Sequence, residues 1–441
     1  MFPDDTIFAL SSGPPPAGIA VIRMSGPGVR FGLETLIGSV PEPRRASLRP
    51  IGTRQGDPID RGLVLFLAGP ASFTGEDMAE LHVHGGRAVI AGVLAELERL
   101  PGFRAAEAGE FTRRAFVNRR MDLTQVEGLA DLVQAETEAQ RRQAVKQAGG
   151  RLGALYEQWR GRLVRARAMI EAELDFPDED DVPDSISAHA WADVAGLEQE
   201  IVNHISDRRG ERLRDGAEIV VLGPPNVGKS SLINAIAQRE VAIVTPDPGT
   251  TRDLIEVRLD LAGYPVTLVD TAGLREAGGA VEREGIKRAE ERAARADLVL
   301  WLSEAGAPSP PPLGEAPVVR VGTKIDAIDS VGERSRLAVG FDVVLSAVTG
   351  DGVNDLLSML SKRIAADMAP AESPLMTRAR HRTALAGCVE AIRAALGDDQ
   401  RPLELRAEDL RRAGDALGRI TGRIDVEEML DQIFREFCIG K

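Results

Sequence analysis

A phosphate-binding loop signature is the feature that most constrains this chain. Residues 223–230 read Gly-Pro-Pro-Asn-Val-Gly-Lys-Ser, which fits G-x-x-x-x-G-K-[ST]. The apolar run 219–222 precedes the motif, and residues 231–234 can open a helix. In such a loop, backbone N–H groups face a phosphate, the lysine can reach the β- and γ-phosphates, and the serine can bind Mg²⁺. The order of strand, loop and helix predicts a domain that binds a nucleoside triphosphate.

Two later segments predict the rest of a phosphate and Mg²⁺ site. Residues 249–253 read Gly-Thr-Thr-Arg-Asp, in which Thr251 is a candidate second Mg²⁺ ligand in a switch loop. A strand predicted at 266–269 ends in Asp-Thr-Ala-Gly at 270–273. An aspartate at a strand end can hold the water shell of Mg²⁺. The glycine after it lets a backbone N–H meet the γ-phosphate and release it after hydrolysis.

The next segments favour guanine as the base. A strand predicted at 317–321 is followed by Thr-Lys-Ile-Asp at 323–326, which is similar to the N-K-x-D motif of GTPases. The Asp326 carboxylate can accept hydrogen bonds from both N1–H and N2–H₂ of guanine, and adenine lacks that pair of donors. A strand at 343–345 leads into Ser346 and Ala347, where a loop is expected to close over the base.

Two positions depart from the usual GTPase pattern. Thr323 stands where asparagine is usual; its hydroxyl can still tie the base loop to the phosphate loop, with fewer bonds than an amide offers. Leu274 stands where Ras-type proteins carry the glutamine that orients the attacking water. Glu276 and Glu282 are the nearby candidates for that role. Both also suit a solvated helix start, where acidic residues are favoured.

Length and composition leave room for further domains. The chain has 441 residues, and a GTPase domain accounts for roughly 150 of them. We expect no membrane span and no signal peptide, because no long uncharged apolar run occurs and the start lacks the basic and then apolar order. Cys388 and Cys438 are the two cysteines and have no metal-type spacing. These features predict a reduced, cytoplasmic protein.

Charge is unevenly distributed along the chain, whose net charge is −14. Residues 141–168 carry eight Arg or Lys and one acid, whereas 171–184 carry eight acids and no base. A basic helical stripe can bind RNA phosphates. It can equally be a solvated face paired with the acidic run, and charge alone favours that second interpretation.

Hydrophobic patterning predicts a multidomain α/β and α+β protein. Residues 1–120 mix strands, at 7–10, 19–23, 64–67 and 78–84, with a helix at 89–100, which indicates an α+β domain. Residues 121–213 and 371–441 have helical periodicity and flank the P-loop domain at 214–370. The simplest arrangement is an all-α domain into which a Ras-like GTPase domain is inserted. His82 and His84 alternate onto one strand face, where they form either a polar wall or, less favoured, part of a Zn²⁺ site.

Several segments outside the P-loop domain carry a family resemblance. They are Ser-Phe-Thr-Gly-Glu-Asp at 72–77, Leu-His-Val-His-Gly-Gly at 81–86, Gly-Glu-Phe-Thr-Arg-Arg-Ala-Phe at 109–116, Asp-Leu-Thr-Gln at 122–125, and Phe-Cys-Ile-Gly-Lys at 437–441. With the motifs at 249–253 and 270–276, the chain resembles the bacterial tRNA modification GTPase MnmE (TrmE) family over nearly its whole length.

The resemblance implies an activity that composition cannot show. The family works with an FAD-dependent MnmG-type subunit, expected as a heterotetramer, and uses GTP. Together they add an aminomethyl or carboxymethylaminomethyl group at C5 of the wobble uridine of tRNA. The one-carbon unit comes from a tetrahydrofolate derivative, 5-formyl- or methylene-tetrahydrofolate, bound by the N-terminal domain, which is also the homodimerisation domain. The implied folate contacts are Arg23, Glu80, Arg120 and Lys441. Without the resemblance, Arg23, Glu80 and Arg120 would each be interpreted as part of a surface salt bridge.

The resemblance also implies how hydrolysis proceeds without the glutamine. Two GTPase domains would meet with K⁺ bound near the β/γ bridge, where it stabilises developing charge as an arginine finger does. The implied K⁺ ligands are Asn226, Thr245, Asp247 and Thr250. Glu282 matches the glutamate that orients water, Lys229 is the phosphate-loop lysine, and Cys438 is the cysteine near the chain end with a chemical role. The expected nucleotide contacts are Asn226, Val227, Gly228, Lys229, Ser230, Ser231, Thr245, Thr250, Thr251, Asp270, Thr271, Ala272, Gly273, Thr323, Lys324, Asp326, Ser346 and Ala347.

Two other classes of function compete with this one. A regulatory GTPase switch acting on ribosomal RNA would be expected to add a KH domain with a G-x-x-G loop, whereas residues 367–441 predict amphipathic helices. A folate-binding module with a vestigial GTPase is disfavoured by the intact Lys229, Ser230, Thr251 and Asp270.

Overall fold

The chain folds as two compact units. The first comprises Met1–Ala130, Gln147–Val194 and Glu390–Lys441, and the second Asp131–Lys146 and Ala195–Val389. The computed structural model describes residues 5–175, 185–239, 241–243, 256–270, 291–311, 316–328, 336–369 and 373–424, with Leu430, Ile433, Phe434, Phe437 and Gly440 near the end of the chain.

Strands and helices alternate irregularly along the described chain. The strands are β1 (Thr6–Leu10), β2 (Ala17–Ser25), β3 (Ser47–Gly52), β4 (Pro58–Leu67), β5 (Met78–Gly85), β6 (Phe103–Ala105), β7 (Ala217–Leu222), β8 (Glu256–Leu261), β9 (Tyr264–Asp270), β10 (Leu298–Glu304), β11 (Val318–Thr323) and β12 (Val343–Val344). The helices are α1 (Val29–Ile37), α2 (Arg87–Glu98), α3 (Glu110–Val117), α4 (Leu123–Gln134), α5 (Glu138–Ala148), α6 (Arg151–Asp175), α7 (Ser185–Ser206), α8 (Arg209–Asp215), α9 (Lys229–Ala237), α10 (Val353–Asp367), α11 (Ala379–Leu396) and α12 (Leu403–Thr421).

An antiparallel sheet forms the N-terminal part of the first unit. Its strand order is β3-β4-β5-β2-β1-β6. Among these described strands β1 and β6 pair parallel, and the other neighbours pair antiparallel. Apolar side chains of α1 and α2, such as Leu33 and Leu97, are fully buried with Ile22, Leu81 and Val64 of the strands. The structure therefore confirms the predicted α+β fold of this region. It adds β3 and β6, which the sequence pattern did not predict.

Helices α6 and α12 pack against each other in the first unit. Helix α12 buries Leu410, Leu417 and Ile420, which belong to the apolar face that the helical spacing predicts. Thr421 Oγ1 donates to Glu157 Oε1 of α6 at 3.0 Å. None of the helices in the described part of the chain combines the length and apolar character that crossing a bilayer requires.

The Asp-Leu-Thr-Gln segment builds the start of α4. The Asp122 carboxylate accepts from the Gln125 backbone N–H at 3.0 Å, and the Gln125 side-chain oxygen accepts from the Asp122 backbone N–H at 2.9 Å. This reciprocal arrangement is a capping box. A Cβ added at Gly153 would lie 2.2 Å from Asp122 Oδ2, so the cap also leaves space only for glycine there. The role of this segment in the structure is to begin a helix.

A mostly parallel sheet forms the second unit. Its order is β12-β11-β10-β7-β9-β8. Among these described strands β8 and β9 pair antiparallel, and the other neighbours pair parallel. Helices α9 and α10 pack on one face and bury residues such as Leu232, Ile236 and Leu356 against it. Because parallel strands end at the same edge of a sheet, the carboxyl ends of β7, β9, β11 and β12 lie together there.

Arginines of the basic stretch make ion pairs within each unit. On α5, Arg141 and Arg142 both pair with Glu138, at 2.7 and 2.6 Å. On α6, Arg162 pairs with Asp193 at 2.6 Å. These partners lie outside the acidic run 171–184. Arg167 pairs with Glu171 of that run at 2.7 Å. The stretch is thus a solvated, ion-paired face, with only part of its pairing to the acidic run among the described residues.

Candidate functional site

The phosphate loop joins β7 to α9 at the carboxyl edge of the parallel sheet. Gly223 has φ +154°, and a Cβ there would lie 2.3 Å from the Leu302 carbonyl oxygen of the neighbouring strand. Gly228 has φ +99° and is the N-cap of α9. Both positions need glycine, the first for its close approach and the second for its left-handed backbone. The loop therefore presents the N-terminus of α9 to an anion.

Lys229 is held against this loop. Its side chain is buried, with 6% of the residue exposed. The ammonium group donates to the carbonyl oxygens of Gly223 at 3.1 Å and Pro224 at 2.9 Å. These carbonyls orient the largely buried ammonium group of Lys229. The lysine is therefore placed to contact a phosphate bound in the loop.

Ser230 and Asp270 meet at the end of the phosphate loop. Ser230 Oγ donates to Asp270 Oδ2 at 2.7 Å, although the two residues are 40 positions apart. The contact arises because β9 pairs with β7 and places Asp270 beside Val221. A hydroxyl and a carboxylate oxygen are hard ligands of the kind Mg²⁺ prefers. The pair fits a Mg²⁺ site that also uses phosphate oxygens.

Thr323 ties the base loop to the phosphate loop. Its hydroxyl is buried at the end of β11 and lies 2.7 Å from the Val227 carbonyl oxygen and 3.3 Å from that of Ser303. This confirms the expectation that threonine can replace the bridging function of asparagine. The next residue, Lys324, has φ +59° and pairs with Glu304.

The remaining base-side residues follow β11 and β12. Asp326 lies on the short helical turn Ile325–Ala327 and is exposed, so its carboxylate is accessible to a ligand. Ser346 is buried, and its hydroxyl oxygen accepts the backbone N–H groups of Val348 at 3.2 Å and Thr349 at 3.1 Å. The Leu345 N–H donates to the Gly322 carbonyl at 2.7 Å, which brings the two loops together.

A second polar site lies on the antiparallel sheet of the first unit. Arg23 of β2 and Glu80 of β5 are direct cross-strand partners. Arg23 donates to Glu80 Oε1 from Nη2 at 2.9 Å and from Nε at 3.2 Å, and the other oxygen, Oε2, lies 3.2 Å from His82 Nε2. His82, a candidate metal ligand by sequence, thus contacts the glutamate carboxylate. The resulting arginine–carboxylate pair is oriented by the sheet and partly open to solvent.

The loop between β4 and β5 brings Arg120 to the same region. The guanidinium carbon of Arg23 lies 6.0 Å from the centroid of the Phe73 ring. Two residues further on, Gly75 has φ +82°, and a Cβ there would come within 3.3 Å of Arg120 Cγ. Arg120 is exposed and Asn118 fixes the loop by donating to the Thr74 carbonyl at 2.7 Å.

Gly440, near the end of the chain, reaches this site. The Gly440 carbonyl oxygen accepts from Ser11 Oγ at 2.8 Å and from Arg23 Nη1 at 3.4 Å. Gly440 has φ +98°, and a Cβ would lie 2.4 Å from the Leu10 carbonyl oxygen. Arg23 therefore contacts both Glu80 and the penultimate residue. Sequence reasoning missed Ser11, for which no local signal exists.

A partly buried hydrogen bond and ion pair to Glu76 hold the loop that carries Phe73. Ser25 Oγ donates to Glu76 Oε2 at 2.7 Å, and Arg114 donates to the same carboxylate at 3.2 Å. Arg114 also pairs with Glu110, whose burial alone would raise its pKa. Hydrogen bonds from Arg104 and from the Glu107 N–H instead keep the pKa of Glu110 below its ordinary value. The Gly-Glu-Phe-Thr-Arg-Arg segment thus has a supporting role that its sequence did not reveal.

Comparison with known proteins decides the family. The family described as MnmE helical domain matches residues 123–438, and that described as GTP-binding protein TrmE N-terminus matches 6–120. A tRNA modification GTPase MnmE from Brucella anthropi is 53% identical over 440 residues, covering 99% of this chain and 98% of the relative. One from Sinorhizobium medicae is 55% identical over 447 residues, covering 99% of each chain. A third, from Mesorhizobium japonicum, is 53% identical over 444 residues, covering 100% of each.

The chain belongs to the MnmE (TrmE) family of tRNA modification GTPases. The resemblance stated from the motifs is thereby confirmed, and so is the multidomain architecture of an N-terminal α+β domain, helices and a P-loop GTPase fold. As a member of the MnmE family, the chain is a GTP hydrolase.

Several predicted MnmE site residues lie outside the described residues. They are Thr245, Asp247, Thr250, Thr251, Thr271, Ala272, Gly273, Glu282, Cys438 and Lys441. Their assignments stay predictions. Asn226 is described: it is exposed and has φ +60°, which places an uncommon left-handed backbone at the centre of the phosphate loop. Ser231, on the first turn of α9, is also exposed.

Proposed function

We propose that this chain couples GTP hydrolysis to modification of C5 of the tRNA wobble uridine, with a folate one-carbon unit. The observation that supports the proposal is that each unit contains one site of paired polar side chains. The second unit joins Ser230 to Asp270 beneath a phosphate loop, and the first joins Arg23 to Glu80 next to Gly440. The relatives' description as tRNA modification GTPases supplies the RNA class.

The phosphate end of GTP would be bound by the loop N–H groups and Lys229. Ser230 and Asp270, with Thr251 and Thr271 to Gly273 from the switch segments, would hold Mg²⁺ and the γ-phosphate. When bound, Mg²⁺ neutralises charge that develops on the phosphate oxygens. Asp326 would accept the guanine donors, and Lys324, Ser346 and Ala347 would enclose the base. The exposure of Asp326 and the hydrogen-bonded closure at Ser346 support this arrangement.

Hydrolysis would depend on K⁺ and Glu282. Leu274 cannot orient a water, so another group must do so. Glu282 would orient the attacking water, and Asn226, Thr245, Asp247 and Thr250 would bind K⁺ near the β/γ bridge. The exposed, left-handed position of Asn226 supports the proposal, since its side chain is not used within the loop's own core.

The first unit would bind a tetrahydrofolate derivative, which supplies the one-carbon unit when bound. Glu80 would accept from the pterin amine and ring N–H, while Arg23 and Arg120 would meet the glutamate carboxylates. Lys441 would add a positive charge at the site. Arg23 would pair with Glu80 and contact a ligand carboxylate. The pairing of Arg23 with Glu80 supports this, because it orients the carboxylate that must accept from the pterin. Cys438, two residues before Gly440, would act in the same reaction.

The sheet that carries this site would also form a homodimer interface. Ile19, Leu48 and Leu63 are 63%, 55% and 47% exposed. Register pairs Leu48 with Leu63 and Leu63 with His82, so these side chains share the sheet face of Glu80. Exposed apolar residues on one face favour association. We further propose that the homodimer joins an FAD-dependent subunit in a heterotetramer. The proposed domains are the N-terminal domain at 1–120, the helical domain at 121–213 and 371–441, and the GTPase domain at 214–370.

Mass spectrometry of tRNA nucleosides tests this function. Cells that lack the gene should lose the aminomethyl or carboxymethylaminomethyl wobble uridine. A wild-type copy should restore it, and an Asp270→Asn copy should not. Unchanged nucleosides in the deletion strain, with ribosomal RNA defects instead, would favour a regulatory GTPase without modification chemistry.

A further inference from the structure

Thr323 uses its hydroxyl inside the protein. The residue is 3% exposed at the end of β11, and its Oγ1 lies 2.7 Å from the Val227 carbonyl oxygen and 3.3 Å from that of Ser303. A threonine hydroxyl has a single proton to donate. Since both neighbours are carbonyl acceptors, that proton is committed to one of them, and the shorter contact identifies Val227.

An asparagine at this position would have a second N–H donor available for a ligand. A side-chain amide carries two N–H donors, so one can bridge to the Val227 carbonyl while the other remains for a ligand. Guanine presents N1–H and N2–H₂ on one edge and the acceptors N7 and O6 on the other. Asp326 suits the first edge because a carboxylate accepts both donors. The N7 edge needs a donor, which a committed threonine hydroxyl does not supply.

We propose that Thr323 makes this GTPase recognise guanine without a hydrogen bond to N7 from the base-binding loop. Its nucleotide substrates then include 7-deazaguanine nucleotides, in which a C–H replaces N7, with affinities close to those of the guanine nucleotides. The proposal rests on the proposed placement of guanine at Thr323–Asp326. Thr323 keeps the hydrogen bond between the base loop and the phosphate loop. The only recognition that it loses is that of the N7 acceptor of guanine.

The test compares GDP with 7-deaza-GDP on one protein at a time. Equilibrium dissociation constants are measured by calorimetry for the wild type and for Thr323→Asn, Thr323→Ser and Thr323→Val. In the wild type the two constants should agree within about twofold. In Thr323→Asn, GDP should bind tighter than 7-deaza-GDP by about 2- to 12-fold, the range expected for one hydrogen bond. Thr323→Ser should keep the ratio near one.

Thr323→Val provides the matched control because it keeps the shape and removes the hydroxyl. It should weaken both nucleotides equally through loss of the Val227 tie. Each ratio compares two dissociation constants measured on the same protein. A loss of protein stability that weakens both nucleotides alike therefore cancels in the ratio. Wild-type binding of 7-deaza-GDP that is more than fivefold weaker than that of GDP would overturn the proposal, as would a folded Thr323→Asn variant that gains no discrimination.

Inosine diphosphate tests separately the premise that the guanine base binds at residues 323–326. It lacks the N2 amine, so the wild type should bind it more weakly than GDP, and Asp326→Asn should abolish that difference. If the wild type instead binds inosine diphosphate and GDP equally, and Asp326→Asn changes neither, the base does not lie at this loop. That result overturns the placement of guanine itself and the N7 inference with it.

Discussion

The two candidate sites are built in opposite ways. In the first unit, Arg23 and Glu80 stand on neighbouring antiparallel strands and are already paired with each other. In the second, Lys229, Ser230 and Asp270 come from loop edges at the ends of parallel strands. Side chains on a sheet are fixed by the register, whereas loop-edge groups can respond to a bound nucleotide. The comparison indicates that the loop-built site is suited to switching and the strand-built site to holding one ligand in a constant geometry.

The largest expected effect falls in the loop-built site. Glu282→Ala should slow GTP hydrolysis by about 10²–10⁴-fold with little change in GTP affinity, because it removes the group proposed to orient the attacking water. Single-turnover hydrolysis and nucleotide binding are measured side by side. Glu276→Ala is the matched control and should remain close to the wild type. A Glu282→Ala rate within about threefold of the wild type would remove Glu282 from the mechanism.

Replacing K⁺ by Na⁺ should have the next largest effect. At equal ionic strength, hydrolysis in NaCl should be slower by roughly 10²-fold, the scale of losing one group that stabilises developing charge. Asn226→Ala should lose this response while it retains nucleotide binding, because Lys229 and the loop backbone remain. Asn234→Ala, exposed on α9, should keep the full response. Equal wild-type rates in the two salts would contradict the cation model.

A smaller effect is expected on the base side. Asp326→Asn should weaken GTP binding by roughly 10-fold or more, since an amide cannot accept both guanine donors and a hydrogen bond to a charged group contributes about 1.5–3 kcal/mol. Affinity is measured by calorimetry, with Asp351→Asn as the control on a neighbouring loop. An unchanged affinity would show that residues 323–326 do not read the base.

The smallest effect should come from the contact that fixes the chain end in the strand-built site. Ser11→Ala removes the 2.8 Å hydrogen bond to the Gly440 carbonyl. The free energy of unfolding should fall by about 0.5–1.5 kcal/mol, the usual contribution of one such bond. Urea unfolding provides the measurement, and Ser11→Thr, which keeps a hydroxyl, is the control. No change in either variant would show that the chain end is not held by Ser11.

The contrast between the loop-built site and the strand-built site also explains which features the sequence could predict. The strands at 219–222, 266–269 and 317–321 were predicted because each is a short apolar run that ends in a motif, and parallel strands bring such ends together without further information. Strand β8 was not predicted, although its residues 256–261 alternate polar and apolar as a half-buried strand does, with Leu259 and Leu261 buried.

The strand-built site required the family resemblance. Arg23 and Glu80 are 57 residues apart, and their contact depends on the register of two strands that no local pattern specifies. The contact between Ser11 and Gly440 spans 429 residues and has no sequence signal. Thr323 was a visible departure from the motif, but only the 2.7 Å bond to Val227 shows how its proton is used.

Glu80→Gln tests the central claim most directly, because it alters one site and leaves the other intact. The amide keeps the shape of the side chain but loses the charge that pairs with Arg23. Folate affinity should fall by about 10- to 100-fold, the loss expected for a hydrogen bond to a charged group. GTP turnover and modified wobble uridine are measured on the same preparations, with Glu98→Gln on the exposed face of α2 as the control. We predict GTP turnover within about twofold of the wild type and a loss of modified uridine. Wild-type levels of modified uridine, or a parallel collapse of GTP turnover, would contradict an account in which the first unit holds the one-carbon site and the second hydrolyses GTP.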